Sequence, residues 1–527
     1  MTESPSLRHA ASRVVAVGLL GVLLGKPADA QAPASAPARA RSLAAEGLHL
    51  LESDQPTLAE AKLEGALRLD PTRSEAHYGL SVARERLGEL RAAKESYEAA
   101  VKIDPGFAEA HDRLGFVQGR LGDLQAAVAE FETAIRLNPG FFDAQYHLGA
   151  TLWLARKLDA ARRPLEAAVS LDPAHPEARY YLALVLKSKG ELAQAVEQLR
   201  RVVREAPSLA AAHLQLGLVL QQQGDLEGAI GELRQARAAY PSLADAANSL
   251  GLALMQKGEA DEAVATFRAL LEQQPEQETA RHNLGSALLQ KADLDGAIAV
   301  YRDLVARFPK SAESRYNLGM ALKQKDDFKA AELELREAIA LDPRLPEAPL
   351  TLAVVLWQTG RPAEAIPLLR AAIVARSDYA EAHSLLGTIL RQQGQAAEAL
   401  VEFQEAIRIQ PGSAEAHLSV GRILQQRKDA AGAAAAFAEA ERLNKKRADA
   451  QAAALAVGVG KQRLKEGDAM GAVERFREAV RLDPGNADAH YQLALALDGQ
   501  GATAEARSHF AEAHRLAPYL TAKEPHD

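Results

Sequence analysis

The 527-residue chain contains no cysteine. That absence excludes disulfides, thiolate metal sites and a cysteine nucleophile. Aromatic residues are only 5% of a chain that is 48% hydrophobic, a thin supply of rings for one large core. No excess of basic charge exists either: 62 Lys and Arg face 70 Asp and Glu, a net of -8, which offers no bulk electrostatic case for a nucleic-acid partner. The charged residues, 25% of the chain, are well mixed, as on a folded surface. Beyond residue 30 no apolar run is long enough to cross a bilayer. A Gly-rich phosphate loop and a His-Glu-x-x-His motif are both missing, and no two carboxylates form an evident proton-transfer couple. The expectation is a protein with no catalytic residues, no metal and no cofactor.

The N-terminus has its own pattern. Arg8 and Arg13 precede an apolar run over residues 14–25, and Ala28-Asp29-Ala30 sets small residues where a signal peptidase reads. Residues 1–30 therefore read as a cleaved secretory signal. As a helix the run spans about 18 Å, short of a hydrocarbon layer of about 30 Å. Export to a periplasmic or extracellular location is expected, with no membrane insertion after signal removal; an uncleaved signal anchor is the alternative. Residues 31–39 read as a Pro/Ala linker.

Repetition dominates the remainder. Pro71, Pro105, Pro139, Pro173, Pro207, Pro241, Pro275, Pro309 and Pro343 recur every 34 residues. The register runs on through Ser377, Pro411 and Lys445, then resumes after five extra residues at Pro484 and Pro518. Each Pro ends one helix and opens the next unit, because it lacks an N–H and disfavours helix in the residue before it. Gly47, Gly115, Gly149, Gly217, Gly251 and further glycines share a second phase, and twelve residues later every unit carries Ala, including Ala127 and Ala229. Apolar residues at steps of three and four, as in residues 144–152, give two helices per unit. The small residues mark where the two helices touch. Pro164 and Pro367 fall within second helices, where slight kinks are expected.

Leu114, Gly115, Ala127, Phe131, Ala134 and Pro139, matched later by Leu386, Gly387, Ala399, Phe403, Ala406 and Pro411, resemble the tetratricopeptide repeat family. The resemblance covers fourteen units from Ala40 to Leu520. It implies an all-α fold, a right-handed α-solenoid (superhelix) of stacked antiparallel helix pairs. Twelve repeats occupy residues 40–447, residues 448–452 are an insertion, two repeats occupy 453–520, and 521–527 read as a disordered tail. Lys445-Lys446-Arg447 is the expected bend or subdomain break.

A stripe of histidines, His77, His111, His213, His383, His417 and His490, holds the fourth place of the first helices. Successive units lie about 8–10 Å apart or more, too far for nitrogens that zinc needs at about 2 Å, so these read as packing residues. The resemblance implies that the ninth, twelfth and thirteenth residues of each unit line a groove. At the thirteenth stand Gln222, Gln256, Gln290, Gln324, Gln358, Gln392 and Gln426. They read either as an amide clamp on an extended peptide or as good helix formers before a cap. Trp153 and Trp357, both tryptophans of the chain, share the twelfth register, with Tyr146, Tyr180, Tyr316 and Phe116 extending the aromatic lining. They are candidate anchors, or rings folded onto their own helix pairs. Three functions follow: a scaffold for an unidentified protein or extended peptide, for example in cell-envelope assembly; a carbohydrate-facing module of polysaccharide export or modification; or a structural spacer.

Overall fold

Two kinds of local stop signal cut an otherwise continuous helical pattern into hairpins. A computed structural model describes residues 35–517, and among them there are 27 helices and no strand. They fall into two compact units, residues 35–219 and 220–517, divided inside helix Ala210–Gln223. Within each, consecutive helices pack as antiparallel pairs, the arrangement of an α-solenoid. Repeats are numbered 1 to 14 from starts at residues 40, 74, 108, 142, 176, 210, 244, 278, 312, 346, 380, 414, 453 and 487.

The first stop lies within each repeat. Its fifteenth residue is left-handed in all of them: nine are Gly, and Asp54, Arg156, Ala292, Asp326 and Lys428 take the rest at φ of 54–65°. The left-handed residue turns the chain so that the next N–H reaches back to an orphan carbonyl, as Lys157 does to Leu152 at 2.9 Å. An Asp one residue further on often caps the second helix; Asp123 accepts from the Ala126 N–H at 3.0 Å.

The second stop lies between repeats. Where the motif is Leu-Asp-Pro, Ile-Asp-Pro or Leu-Asn-Pro, the side chain accepts an N–H from beyond the proline, as Asp104 does from Gly106 at 3.0 Å and Asn138 from Gly140 at 3.2 Å. Pro139 and Pro411 sit exposed at such bends. The fourth-position side chains then fasten the bend to the following helix. Nε2 of His77, His111, His213 and His490 donates to the carbonyls of Pro71, Pro105, Pro207 and Pro484 at 3.0–3.2 Å, and Arg179 does so to Pro173 at 2.7 Å. His417 does the same to Pro411 at 3.3 Å, so five of the six stripe histidines are turn staples, while His383 pairs with Glu402 at 2.6 Å. No group of three His, Asp or Glu side chains is placed to hold a metal ion among the described residues.

The small-residue phases form the contact inside each pair. Ala127 and Ala229 are fully buried, as is the same position throughout the array, and Gly217 is buried too. At Gly115 an added Cβ would lie 2.9 Å from the Phe131 ring and 3.0 Å from the Ala127 carbonyl, so only glycine lets these helices close. The helices Leu158–Leu171 and Pro362–Ala375 continue through Pro164 and Pro367.

The signal at 1–30, the first four linker residues and the tail at 521–527 lie outside the described residues. Of the expected linker, residues 36–39 already belong to helix Ala36–Glu52, with Pro in its first turn, a position where the missing N–H has no partner to lose. The expected bend at Lys445-Lys446-Arg447 is a correction: a single 36-residue helix, Ala430–Lys465, runs through it and through the insertion. Residues 444–454 contain neither Gly nor Pro and are mostly Ala, Lys, Arg and Gln, strong helix formers.

Candidate binding face

The outward side of the first helices carries the candidates. From repeat 4 to repeat 11 the twelfth residue is half-buried, and the thirteenth is exposed at every glutamine from Gln222 to Gln426. The amide row is not a row of free side chains. Gln221 Nε2 donates to Gln256 Oε1 at 2.9 Å, and Gln290 Nε2 donates to the Met255 carbonyl at 2.8 Å. Trp357 Nε1 donates to Gln392 Oε1 at 3.0 Å. Every one of these rungs joins a twelfth residue to the thirteenth of the next repeat, 35 residues on. His147 reaches Asp112 by the same step at 2.8 Å, and Asn317 reaches His282 at 3.1 Å. Beside a ligand clamp and helix propensity, these amides thus have a third role, fastening neighbouring repeats. Gln222, Gln324, Gln358 and Gln426 are exposed at the same register.

The two tryptophans have different surroundings, one in each compact unit. Trp153 is half-buried, edge-on to Tyr181 with centroids 5.5 Å apart, and its Nε1 is buried without a hydrogen-bond partner. A buried donor left unpaired costs about 1–3 kcal/mol. Trp357 is also half-buried, but its N–H is satisfied by Gln392. Tyr316 is half-buried too, and burial raises its phenol while a hydrogen bond to Thr351, again 35 residues on, opposes that.

Around Trp153 the rings gather into a cluster that sequence reading named only in part. Tyr146 lies 6.0 Å from Tyr181, 5.4 Å from His147 and 6.1 Å from a stacked Phe142. Tyr180 meets Tyr181 edge-on at 5.8 Å, and burial pushes its phenol up to about 12. Burial raises the Tyr146 phenol further, and desolvation lifts the Asp143 carboxyl beside it. Phe116 packs 5.2 Å from His147 and carries the Arg113 guanidinium over its face at 5.1 Å. Tyr181, His147 and Phe142 were the omissions. Their signal was the crowding of aromatic residues between 116 and 181 in an otherwise ring-poor chain.

This cluster floors a cavity of about 70 Å³ lined by Phe116, Phe131, Tyr146, His147 and Tyr181 among others. Gly119 opens it. That residue holds the twelfth place of repeat 3, where repeats 4 to 11 carry Trp, Lys, Gln, Met, Leu or Arg. Beside the cluster Lys187 is half-buried, its ammonium pushed down by desolvation, and donates to Gln215 Oε1 at 2.8 Å. Rings and a small opening, with Arg120 in its lining, suit an apolar side chain on a hydrogen-bonding backbone.

Comparisons with known proteins agree with the repeat reading. Tetratricopeptide repeat families match residues 44–106, 114–176, 151–210, 211–242 and 460–501. The C-terminal domain family of cilia and flagella-associated protein 70 matches residues 238–457. No curated protein matches in sequence. Among solved structures, yeast Tom70 is 16% identical over 74% of this chain and 96% of its own, with a TM-score of 0.41. YrrB, described as a TPR protein with an unusual peptide-binding site, is 24% identical over 35% of this chain and 95% of its own, with a TM-score of 0.33.

Proposed function

Because the chain is a tetratricopeptide-repeat protein, we propose that it is a non-enzymatic scaffold whose first-helix face binds extended peptide segments of a partner protein. The observation that carries this reading is the ring-floored cavity at repeats 3 to 5, opened by Gly119 and flanked by Trp153. An aliphatic side chain of a bound peptide enters it, while exposed amides of the Gln222-to-Gln426 register meet peptide carbonyls and N–H groups elsewhere along the face. Trp357, held by Gln392, gives the second compact unit its own anchor.

Selection from a peptide library, followed by affinity measurement on the selected peptides, tests this. Removing a Trp anchor commonly costs about 2 kcal/mol, roughly thirty-fold in affinity. Trp153→Ala and Gly119→Met should therefore each weaken peptides chosen on repeats 3 to 5 by about that factor, with helical circular dichroism unchanged. Peptides that bind both variants as tightly as the parent would refute the proposed site.

The finer setting is also part of the proposal. Residues 1–30 act as a cleaved export signal, so the scaffold works in the cell envelope. Support comes from the basic start, the apolar run and Ala28-Asp29-Ala30. Mass spectrometry of the native protein should find Gln31 first; an intact Met1 in the cytosolic fraction contradicts export.

A further inference from the structure

In twelve of the fourteen repeats, repeats 2–12 and 14, the third, seventh and tenth residues of the first helix form one buried stripe. The third is Ala, or Ser314 once, and is at most 1% exposed; none of the seventh or tenth residues exceeds 8%. Repeat 13 departs from this. Its third residue, Leu455, is 71% exposed, its seventh, Val459, is 39% exposed, and its tenth, Gln462, is exposed. Repeat 1, with no repeat before it among the described residues, shows polar Ser42, Glu46 and His49 at these places. Repeat 13 shows two large apolar residues instead.

The cause is the long helix Ala430–Lys465. It contains the second helix of repeat 12 and the first helix of repeat 13 in one unbroken run, so neither can fold back on the other. The complementary surface is open as well. The twenty-fourth residue is buried in the other thirteen repeats, but Phe437 is only half-buried, and its neighbours Ala434 and Glu441 are exposed.

Both open surfaces lie on one face. Phe437 and Leu455 are 18 residues apart, as are Glu441 and Val459, and at 3.6 residues per turn that is about five whole turns. The face runs about 42 Å from Ala434 to Gln462, with exposed Ala448 at its centre. The register of the missing contact is known from other junctions. Glu60, twenty-first in repeat 1, pairs with Arg84, eleventh in repeat 2, at 3.0 Å; Asp159, eighteenth in repeat 4, pairs with Lys189, fourteenth in repeat 5, at 2.5 Å. Carried to the long helix, these pairings set position 434 against 463 and 431 against 466. Both are centred between Ala448 and Asp449, within about half a residue of the centre of the stripe itself.

We propose that a second copy of this chain covers this face, the two long helices crossing antiparallel about a two-fold axis at Ala448. The repeat-12 half of each copy lies on the repeat-13 half of the other, so the contact made at every other junction is rebuilt twice. Such an exchange of identical elements gives a closed, isologous dimer. Ala448 at the crossing lets the backbones approach, and Phe437 of each copy covers Val459 of the other.

The chain's lack of cysteine makes the test direct. Ala448→Cys places one thiol per chain on the proposed axis, and Lys446→Cys places one about 200° round the same helix. Under mild oxidation the first should form a disulfide-linked dimer and the second should not. Light scattering of the full chain across a dilution series should give twice the chain mass. The double variant Leu455→Glu with Val459→Glu should shift it to single mass with unchanged helicity. A parent of single mass at all concentrations overturns the proposal. So does a dimer that survives the double variant, or one that oxidises equally through either cysteine.

Discussion

Ala292 and Gly258 occupy the same left-handed turn position of adjacent repeats, at φ of 65° and 89°. A side chain there sets Cβ against the backbone, a penalty of about 1–2 kcal/mol that glycine avoids. Gly258→Ala should destabilise its hairpin by about 1 kcal/mol, and Ala292→Gly should shift its own the other way. Local hydrogen exchange would read both; equal effects of one sign would contradict the turn assignment. His509 makes a second prediction at this scale. Its imidazole is pushed down by burial and, next, by His490, whose Nδ1 lies 2.9 Å away; Arg477 acts in the same direction and Glu505 opposes. The unfolded chain therefore takes up a proton more readily than the folded one. The associated stability is complete above about 6.5 and is lost as pH falls through the lower folded value. Exchange protection over residues 487–516 should drop on acidification below 6.5, and His509→Gln should flatten that dependence.

Helix pairs are held by contacts too tight for extra atoms. Ala229 is fully buried at the crossing of its two helices. Ala229→Leu forces three more heavy atoms into that contact, and overpacking of this kind costs about 1–3 kcal/mol. The loss should stay near repeats 6 and 7, because each hairpin couples mainly to its neighbours. Uniform loss of exchange protection over all repeats, or none around Ala229, would count against this. Ion pairs between neighbouring second helices, such as Arg234 with Glu262 at 2.6 Å and Arg477 with Glu505 at 2.9 Å, are exposed and add little each. Packing carries the stacking energy.

An array whose contacts are all to neighbours has no single core to melt. Thermal unfolding should therefore be broader than two-state, with the calorimetric enthalpy exceeding the van't Hoff enthalpy; equal values would show that the repeats unfold as one body. Helix boundaries were legible in the sequence because their causes are local. Pro139 blocks the helix before it, Asn138 caps the bend, and Gly190 turns left-handed within a few residues of the groups it serves. The alanine phase was legible because 34-residue periodicity repeats one contact many times. What Gln256, Gln290 and Gln392 touch was not legible. Their partners lie 35 residues away, and only the stacking of one repeat on the next brings those atoms within 3 Å. The ring cluster at Tyr146 and Tyr181 was hidden for the same reason. Sequence by itself determined where most helices start and stop, since those signals act over a few bonds; it missed the run-through at 445–447, where no local stop signal stands. Only the tertiary structure decided which faces are covered: Leu455 looks like any core leucine until the helix that should lie on it is seen to be the continuation of its own.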